Sequence, residues 1–224
     1  MNNYILHIET STKVCSVALS KNGQLLSFKE SLEDRYSHGE NLNLFIEEVL
    51  LKDGIKINNL SAISVTSGPG SYTGLRIGAA TAKSLCYTLD IPLIAIDSLR
   101  SLVEMAKLKH KNINFCPLID ARRMEVYNLI MDKDLCLKKD ISADILDENS
   151  YEEYLPFVYF GDGALKTSEL WKNRDCLLDC EIKCSAKGHV NLAYMKFNNE
   201  DFEDIAYWEP FYLKDFIIGK KPLS

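Results

Sequence analysis

The dipeptide Asn22-Gly23 sits between two runs of β-prone residues, and that placement constrains the fold more than any other feature. Val14–Ser20 (VCSVALS) precedes it and Gln24–Ser31 follows. Both turn residues tolerate positive φ, so the two runs are expected to fold back on each other as a hairpin. Tyr4–Ile8, just upstream, is apolar and β-prone, which makes three strands in series. The next segment changes period. In His38–Lys52 the apolar residues Leu42, Phe45, Ile46, Val49 and Leu50 recur at i, i+3, i+4, i+7 and i+8, the spacing of a helix with one buried face.

Beyond that helix, Ala62–Ser67 reads as a buried strand, SGPGSYTG as a turn and Thr73–Leu89 as a helix. Pro92–Asp97 reads as a strand and Ser98–Lys109 as a helix. The order βββαβαβα is not the regular alternation of a dinucleotide-binding half. It is the order expected of a ribonuclease-H-like lobe. In the second half, Phe115–Ile119 and Val126–Met131 read as strands around the loop Asp120–Glu125. Val158–Phe160 reads as a short strand ending in Gly161-Asp162-Gly163, with helices near Ala164–Trp171 and His189–Phe197. A strand, a turn and a strand could open a second, degenerate copy of the same lobe. The expected fold class is therefore α/β with two ribonuclease-H-like lobes. Residues 1–97 plus 206–224 would form the first lobe and residues 98–205 the smaller second.

Composition narrows the function. Hydrophobic residues make up 46% and charged residues 26%, enough for a real core. The first fifteen residues carry no signal-peptide pattern, and no apolar run is long enough for a membrane helix, so a cytoplasmic protein is expected. Seven cysteines, an odd number, read as reduced thiols. Cys176, Cys180 and Cys184 recur every four residues and could be joined by His189 as metal ligands, but structural zinc usually wants two close pairs. Buried or incidental thiols are the expected reading. The formal net charge is −6, with 26 basic and 32 acidic residues, and the densest basic clusters, Lys107–Lys111 and Lys220–Lys221, are short. Strong RNA binding by this chain alone is not expected.

Four segments could carry chemistry. Glu9-Thr10-Ser11-Thr12 is a turn of small hydroxyl residues that could meet an anion, or simply a hairpin turn satisfying its own backbone. In Ser67–Gly78 (SGPGSYTGLRIG), Gly68 and Gly70 allow a sharp turn after a strand, and Ser71 or Thr73 could cap the following helix. Gly74, Gly78 and Ala82 fall at i, i+4 and i+8, a flat stripe that lets another helix approach, whether internal or from a partner. On the helix His38–Lys52, Leu44 and Leu51 lie almost opposite the core face, as scattered exposed leucines or as a second buried face. Asp120–Tyr127 (DARRMEVY) is a compact charge cluster that could bind a charged ligand or pair internally.

Together these segments resemble the TsaB (YeaZ) family. The residues that carry the likeness are IETST and SVALS near the start, then His38-Gly39-Glu40, GPGSYTGLRIG, DARRMEVY and the late GDG, in family order over nearly the whole chain. Two positions depart from the family pattern: Glu9 stands where Asp is usual and Gly39 where Ser is usual. The resemblance implies the two-lobed fold of the actin-like ATPase (ASKHA) superfamily. It implies a part in forming threonylcarbamoyladenosine at position 37 of tRNAs that read ANN codons.

It further implies pairing with the catalytic relative TsaD, a complex that includes TsaE, a functional link to TsaC, and a homodimer when TsaD is absent. TsaD binds a metal through a His-x-x-x-His pair, whose places here hold Ser98 and Leu102. A hydroxyl and an isobutyl group cannot replace two imidazoles. A non-catalytic subunit is therefore expected, with no cofactor and no metal. The expected partner interface comprises Leu44, Leu51, Gly74, Gly78 and Ala82. Possible nucleotide or anion contacts are Glu9, Ser11, Thr12, Gly68, Gly70, Arg76, Gly161 and Gly163. The rival reading is a nucleotide-dependent kinase or ATPase of the same superfamily. An endopeptidase lacks any G-x-S-x-G signature.

Overall fold

The computed structural model describes residues 2–32 and 38–214. Lys220–Lys221 and the last ten residues of the expected first lobe lie outside them. Strands β1 (Tyr4–Glu9), β2 (Val14–Lys21) and β3 (Gln24–Leu32) form an antiparallel meander. Asn22 (φ 50°) and Gly23 (φ 76°) make the tight turn between β2 and β3 in the left-handed backbone region that the dipeptide allows. Helix α1 (His38–Lys52) follows, then β4 (Leu60–Gly68), α2 (Tyr72–Leu89) and β5 (Leu93–Asp97). β4 pairs parallel to β1, and β5 parallel to β4, so the sheet order is β3-β2-β1-β4-β5. This is a ribonuclease-H-like sheet.

The second sheet repeats that order. Helix α3 (Ser98–Ala106) leads into β6 (Asn114–Asp120), β7 (Glu125–Met131) and β8 (Leu137–Ile145), again an antiparallel meander. β9 (Phe157–Phe160) then pairs parallel to β6, and β10 (Cys176–Asp179) parallel to β9. The order β10-β9-β6-β7-β8 matches the first sheet strand for strand. The copy is reduced in its crossovers: between β8 and β9, and between β9 and β10, the helices shrink to single 3-10 turns, Glu152–Tyr154 and Leu165–Thr167. The two lobes together are two ribonuclease-H-like sheets, each with the same strand order.

One sequence expectation is corrected, and two strands, β8 and β10, add to those the sequence shows. Ala164–Trp171 is a run of turns, not a helix, because the chain bends to bury Trp171 against Tyr151, Phe157 and Tyr159. β8 escaped notice because LKKDISADI is an edge strand without a clean apolar alternation. β10 is four residues long and half exposed, too short to leave a pattern.

Helices α1 and α2 cover one face of the first sheet, where Leu42, Phe45 and Ala82 meet Leu6, Ile8 and Val65. The opposite face is covered by α4 (His189–Asn198), whose Ala193, Leu192 and Phe197 pack with Ile5, Ala62, Ile94 and Ile96. So α4 follows the second sheet in the chain but lies on the first. α3 covers one face of the second sheet through Leu99, Leu102 and Val103 against Phe115, Leu129 and Phe160. The far face of that sheet is covered by turns that carry Tyr151 and Trp171, with Leu146 and Ala164 beside them. No helix among the described residues is long and apolar enough to cross a membrane.

Candidate functional site

The turn between β1 and β2 is built on Glu9. Its carboxylate Oε1 accepts from the backbone N and the hydroxyl of Ser11, both at 2.6 Å. Its Oε2 lies 3.3 Å from Nε2 of His189, at the start of α4. Burial alone would push this carboxyl up, but contact with His189 and the two Ser11 bonds outweigh it and hold the group below the ordinary carboxylate range. Behind it, Ser64 Oγ lies 3.3 Å from His189 Nδ1 and 2.7 Å from His7 Nδ1, and His7 Nε2 lies 2.8 Å from Ser20 Oγ. Burial, reinforced by His189, pushes His7 well below its usual range, so it is neutral.

The glycine-rich segment is fitted to this turn. Ser71 N donates to Ser11 O at 2.6 Å, and the Ser71 hydroxyl caps α2 by accepting from Gly74 N. A Cβ at Gly70 would lie 2.4 Å from Ser11 O, and one at Gly74 2.1 Å from Thr10 O. A Cβ at Gly78 would lie 2.3 Å from Thr10 Oγ1. Here the sequence reading is corrected. The stripe Gly74–Gly78–Ala82 does permit close approach, but what approaches is the chain's own turn at Thr10, with Ala82 wholly enclosed in the core. Glycine spacing reveals how near a neighbour comes and not which neighbour it is.

Between the lobes lies a cleft of about 400 Å³. The first lobe lines it with Ser11, Thr12, Lys13 and Gly70–Thr73, and the second with Ile119–Arg122, Tyr127 and Asp162. Of the expected anion contacts, Ser11, Thr12 and Gly70 face it. Glu9 does not, because it is turned inward to His189, and Gly68 lies under Phe211. Arg76 stacks outside on Tyr72, 4.1 Å from the ring centroid. Gly161 and Gly163 pack on the backbone of Leu118 to Asp120, where a side chain would clash, and present Asp162 between them.

The acids of the charge cluster Asp120–Glu125 pair with lysines outside it, Asp120 with Lys166 and Glu125 with Lys214. Asp120 Oδ1 meets Lys166 Nζ at 2.5 Å and accepts from Arg122 N, while Asp162 Oδ1 accepts from Asp120 N at 3.0 Å. Burial, with Asp120 close by, pushes Asp162 up to about 6. Asp162 and Lys166 were not singled out from sequence. Neither was the C-terminal stretch Phe211–Lys214, which forms a further wall of the cleft.

A second feature lies on the outer surface of the first lobe. Leu44 and Leu51 on α1 are 56% and 77% exposed. Leu51 edges an apolar groove of about 420 Å³ between α1 and α2, floored by Ile46, Leu50, Ile55, Ile57 and Leu85. Ser98 and Leu102 are fully buried in α3. Cys176, Cys180 and Cys184 are free thiols spread from β10 into the following loop, while His189 is committed to Glu9. Among the described residues no three His, Cys, Asp or Glu side chains gather into a metal-binding group.

Comparison with known proteins places this geometry. The family model of TsaD, tRNA N6-adenosine threonylcarbamoyltransferase, matches residues 34–207. The chain is 37% identical over 126 residues to the tRNA threonylcarbamoyladenosine biosynthesis protein TsaB of Haemophilus influenzae, a match covering 56% of this chain and 52% of that relative. It thus spans about half the length of that relative. The protein of the same name from Escherichia coli is 27% identical over 97% of both chains. Among solved structures, YeaZ from Pseudomonas aeruginosa superposes with a TM-score of 0.79 at 24% identity, covering 94% of this chain and all of that one, a likeness of fold.

Proposed function

The chain belongs to the TsaD family of tRNA N6-adenosine threonylcarbamoyltransferases and is of its TsaB (YeaZ) kind, and from that premise we propose that it is a non-catalytic subunit that pairs with TsaD in forming threonylcarbamoyladenosine on tRNA. The observation that carries this reading is the apolar groove between α1 and α2, edged by the outward-facing Leu51 with Leu44 nearby on the same helix. A groove of this kind on a water-facing helix pair is a surface that gains by being covered. The interface we propose comprises Leu44 and Leu51 with the groove floor. Gly74, Gly78 and Ala82 support it from inside by seating α2 on the β1–β2 turn. TsaE joins the complex, TsaC supplies the activated threonylcarbamoyl group, and the same groove serves a homodimer when TsaD is absent. The working compartment is the cytoplasm.

The identities of Ser98 and Leu102 support the non-catalytic part of the reading, since a hydroxyl and an isobutyl group do not take the place of two imidazoles on a metal. As a division into lobes, we propose residues 1–97 with the C-terminal tail for the first and 98–205 for the second, amended by assigning α4 to the first. The test is reconstitution. The chain, TsaD, TsaE and TsaC are mixed with unmodified tRNA and each is left out in turn. Modification that proceeds at full rate without this chain would refute the role.

A nucleotide-dependent kinase or ATPase is the second reading, favoured by the cleft between the lobes and opposed by the internal engagement of Glu9. Turnover of ATP by the isolated chain would select it.

A further inference from the structure

The stretch before the end of the described chain runs across the cleft from one lobe to the other. Phe211 N donates to Ser67 O at 2.7 Å, at the end of β4, and Phe211 O occupies the space that a side chain at Gly68 would need. The Tyr212 ring lies 4.9 Å from that of Tyr72, with the Arg76 guanidinium 4.1 Å from the Tyr72 centroid and 6.0 Å from that of Tyr212. Lys214 then pairs with Glu125 at the start of β7, in the second lobe. Among the described residues the attachment consists of surface contacts: one backbone hydrogen bond, a ring pair, the Arg76 side chain bonded to Tyr212, and one partly exposed ion pair. Contacts of these kinds each contribute little at a surface. Segments held this way open without the rest of the fold.

What this stretch covers has its own chemistry. Ser11, Thr12 and Ser71 line the cleft, the Ser11 hydroxyl donating to Glu9 and those of Thr12 and Ser71 each accepting from a backbone N–H, and Lys13 and Arg122 make no ion pair among the described residues. The facing acids are engaged: Asp120 with Lys166, and Asp162 with the backbone of Asp120.

We propose that residues 209–214 are a releasable strap that closes the cleft, and that a small anion reaches the hydroxyl turns only when Tyr212 leaves Tyr72 and Arg76. The strap is a closure built into this chain, and it does not depend on the docking reading given above.

The test uses the full chain without partners, so a failure of the docking reading leaves it intact. Amide hydrogen exchange is followed at Phe211 and at Val65 in β4, in the unchanged chain and in Tyr212→Ser and Arg76→Gln. Inorganic pyrophosphate is titrated calorimetrically into the same three proteins. Both substitutions are expected to speed Phe211 exchange about tenfold while Val65 is unaffected. Apparent pyrophosphate affinity is expected to rise by the same factor, because it scales with the open fraction.

Unchanged exchange at Phe211 would overturn the strap. Faster exchange without tighter binding, or no pyrophosphate binding by any of the three, would overturn the gating. Should either variant also loosen Val65, Lys214→Ala, which acts only at the far end, is put through the same two measurements, and equal exchange and affinity to the unchanged chain would overturn the proposal.

Discussion

The Glu9 carboxylate and the His189 imidazole meet at 3.3 Å with neither side chain exposed to solvent, although 180 residues separate them in the chain. The pair pins the start of α4 to the end of β1. Removing one member leaves a buried polar group without its partner, which typically costs about 3–5 kcal/mol. His189→Ala is therefore expected to lower stability by roughly that amount. The double variant Glu9→Gln/His189→Gln should lose less than the sum of its single changes. Urea unfolding of the four proteins gives the coupling, and strict additivity would mean the two side chains do not support each other.

Acid should weaken the fold through His7 first. Burial lowers its pKa from 6.5, so the folded state holds it neutral while the unfolded chain takes up a proton below that value. The stabilising difference is complete above pH 6.5 and declines as pH falls below it. Glu9 adds a second decline at lower pH, since its folded pKa is depressed and its contribution disappears as the carboxylate is protonated. The urea midpoint should drop between pH 7 and pH 5, and His7→Gln should flatten that segment of the curve. A variant with the slope of the parent would show that His7 is not the group responsible.

Substitution at Gly78 should damage folding rather than association. A Cβ there would sit 2.3 Å from Thr10 Oγ1, so even Gly78→Ala forces α2 off the β1–β2 turn. Overpacking of this kind costs about 1–3 kcal/mol. Thr10→Ala removes the obstructing hydroxyl, which has no hydrogen-bond partner among the described residues. Thermal melts should show Gly78→Ala lowered and the double variant with Thr10→Ala largely restored. Equal melting of the two would place the obstruction elsewhere.

Leu51→Asp and Leu44→Asp should do the opposite. Both residues face water, so stability should change by no more than about 0.5 kcal/mol. Co-purification with TsaD, or self-association measured by sedimentation, should be lost. Retention of either assembly by the Leu51→Asp protein would move the interface away from this groove.

Local chemistry made the first hundred residues readable. Asn22-Gly23 demands a hairpin, and the 3.6-residue spacing in α1 admits one buried face, so strands and helices fall almost where the residues ask. Ser71 caps α2 as its side chain allows. The readable features end where partners are distant in the chain. His189 carries no mark that it will seek Glu9, and the tail FYLK gives no sign that it will lie across Ser67 and Tyr72. The glycine stripe predicted intimacy correctly and its object wrongly, since a missing side chain has no direction. In the second lobe, β8 and β10 lie at sheet edges, where half-exposed residues follow no strict alternation.

The return of α4 to the first sheet has a consequence during synthesis on the ribosome. Until Asn198 has left the exit tunnel, the surface formed by Ile5, Ala62, Ile94 and Ile96 has nothing to cover it. The first half of the nascent polypeptide cannot mature ahead of α4, and must wait, greasy side outward, until that helix has emerged.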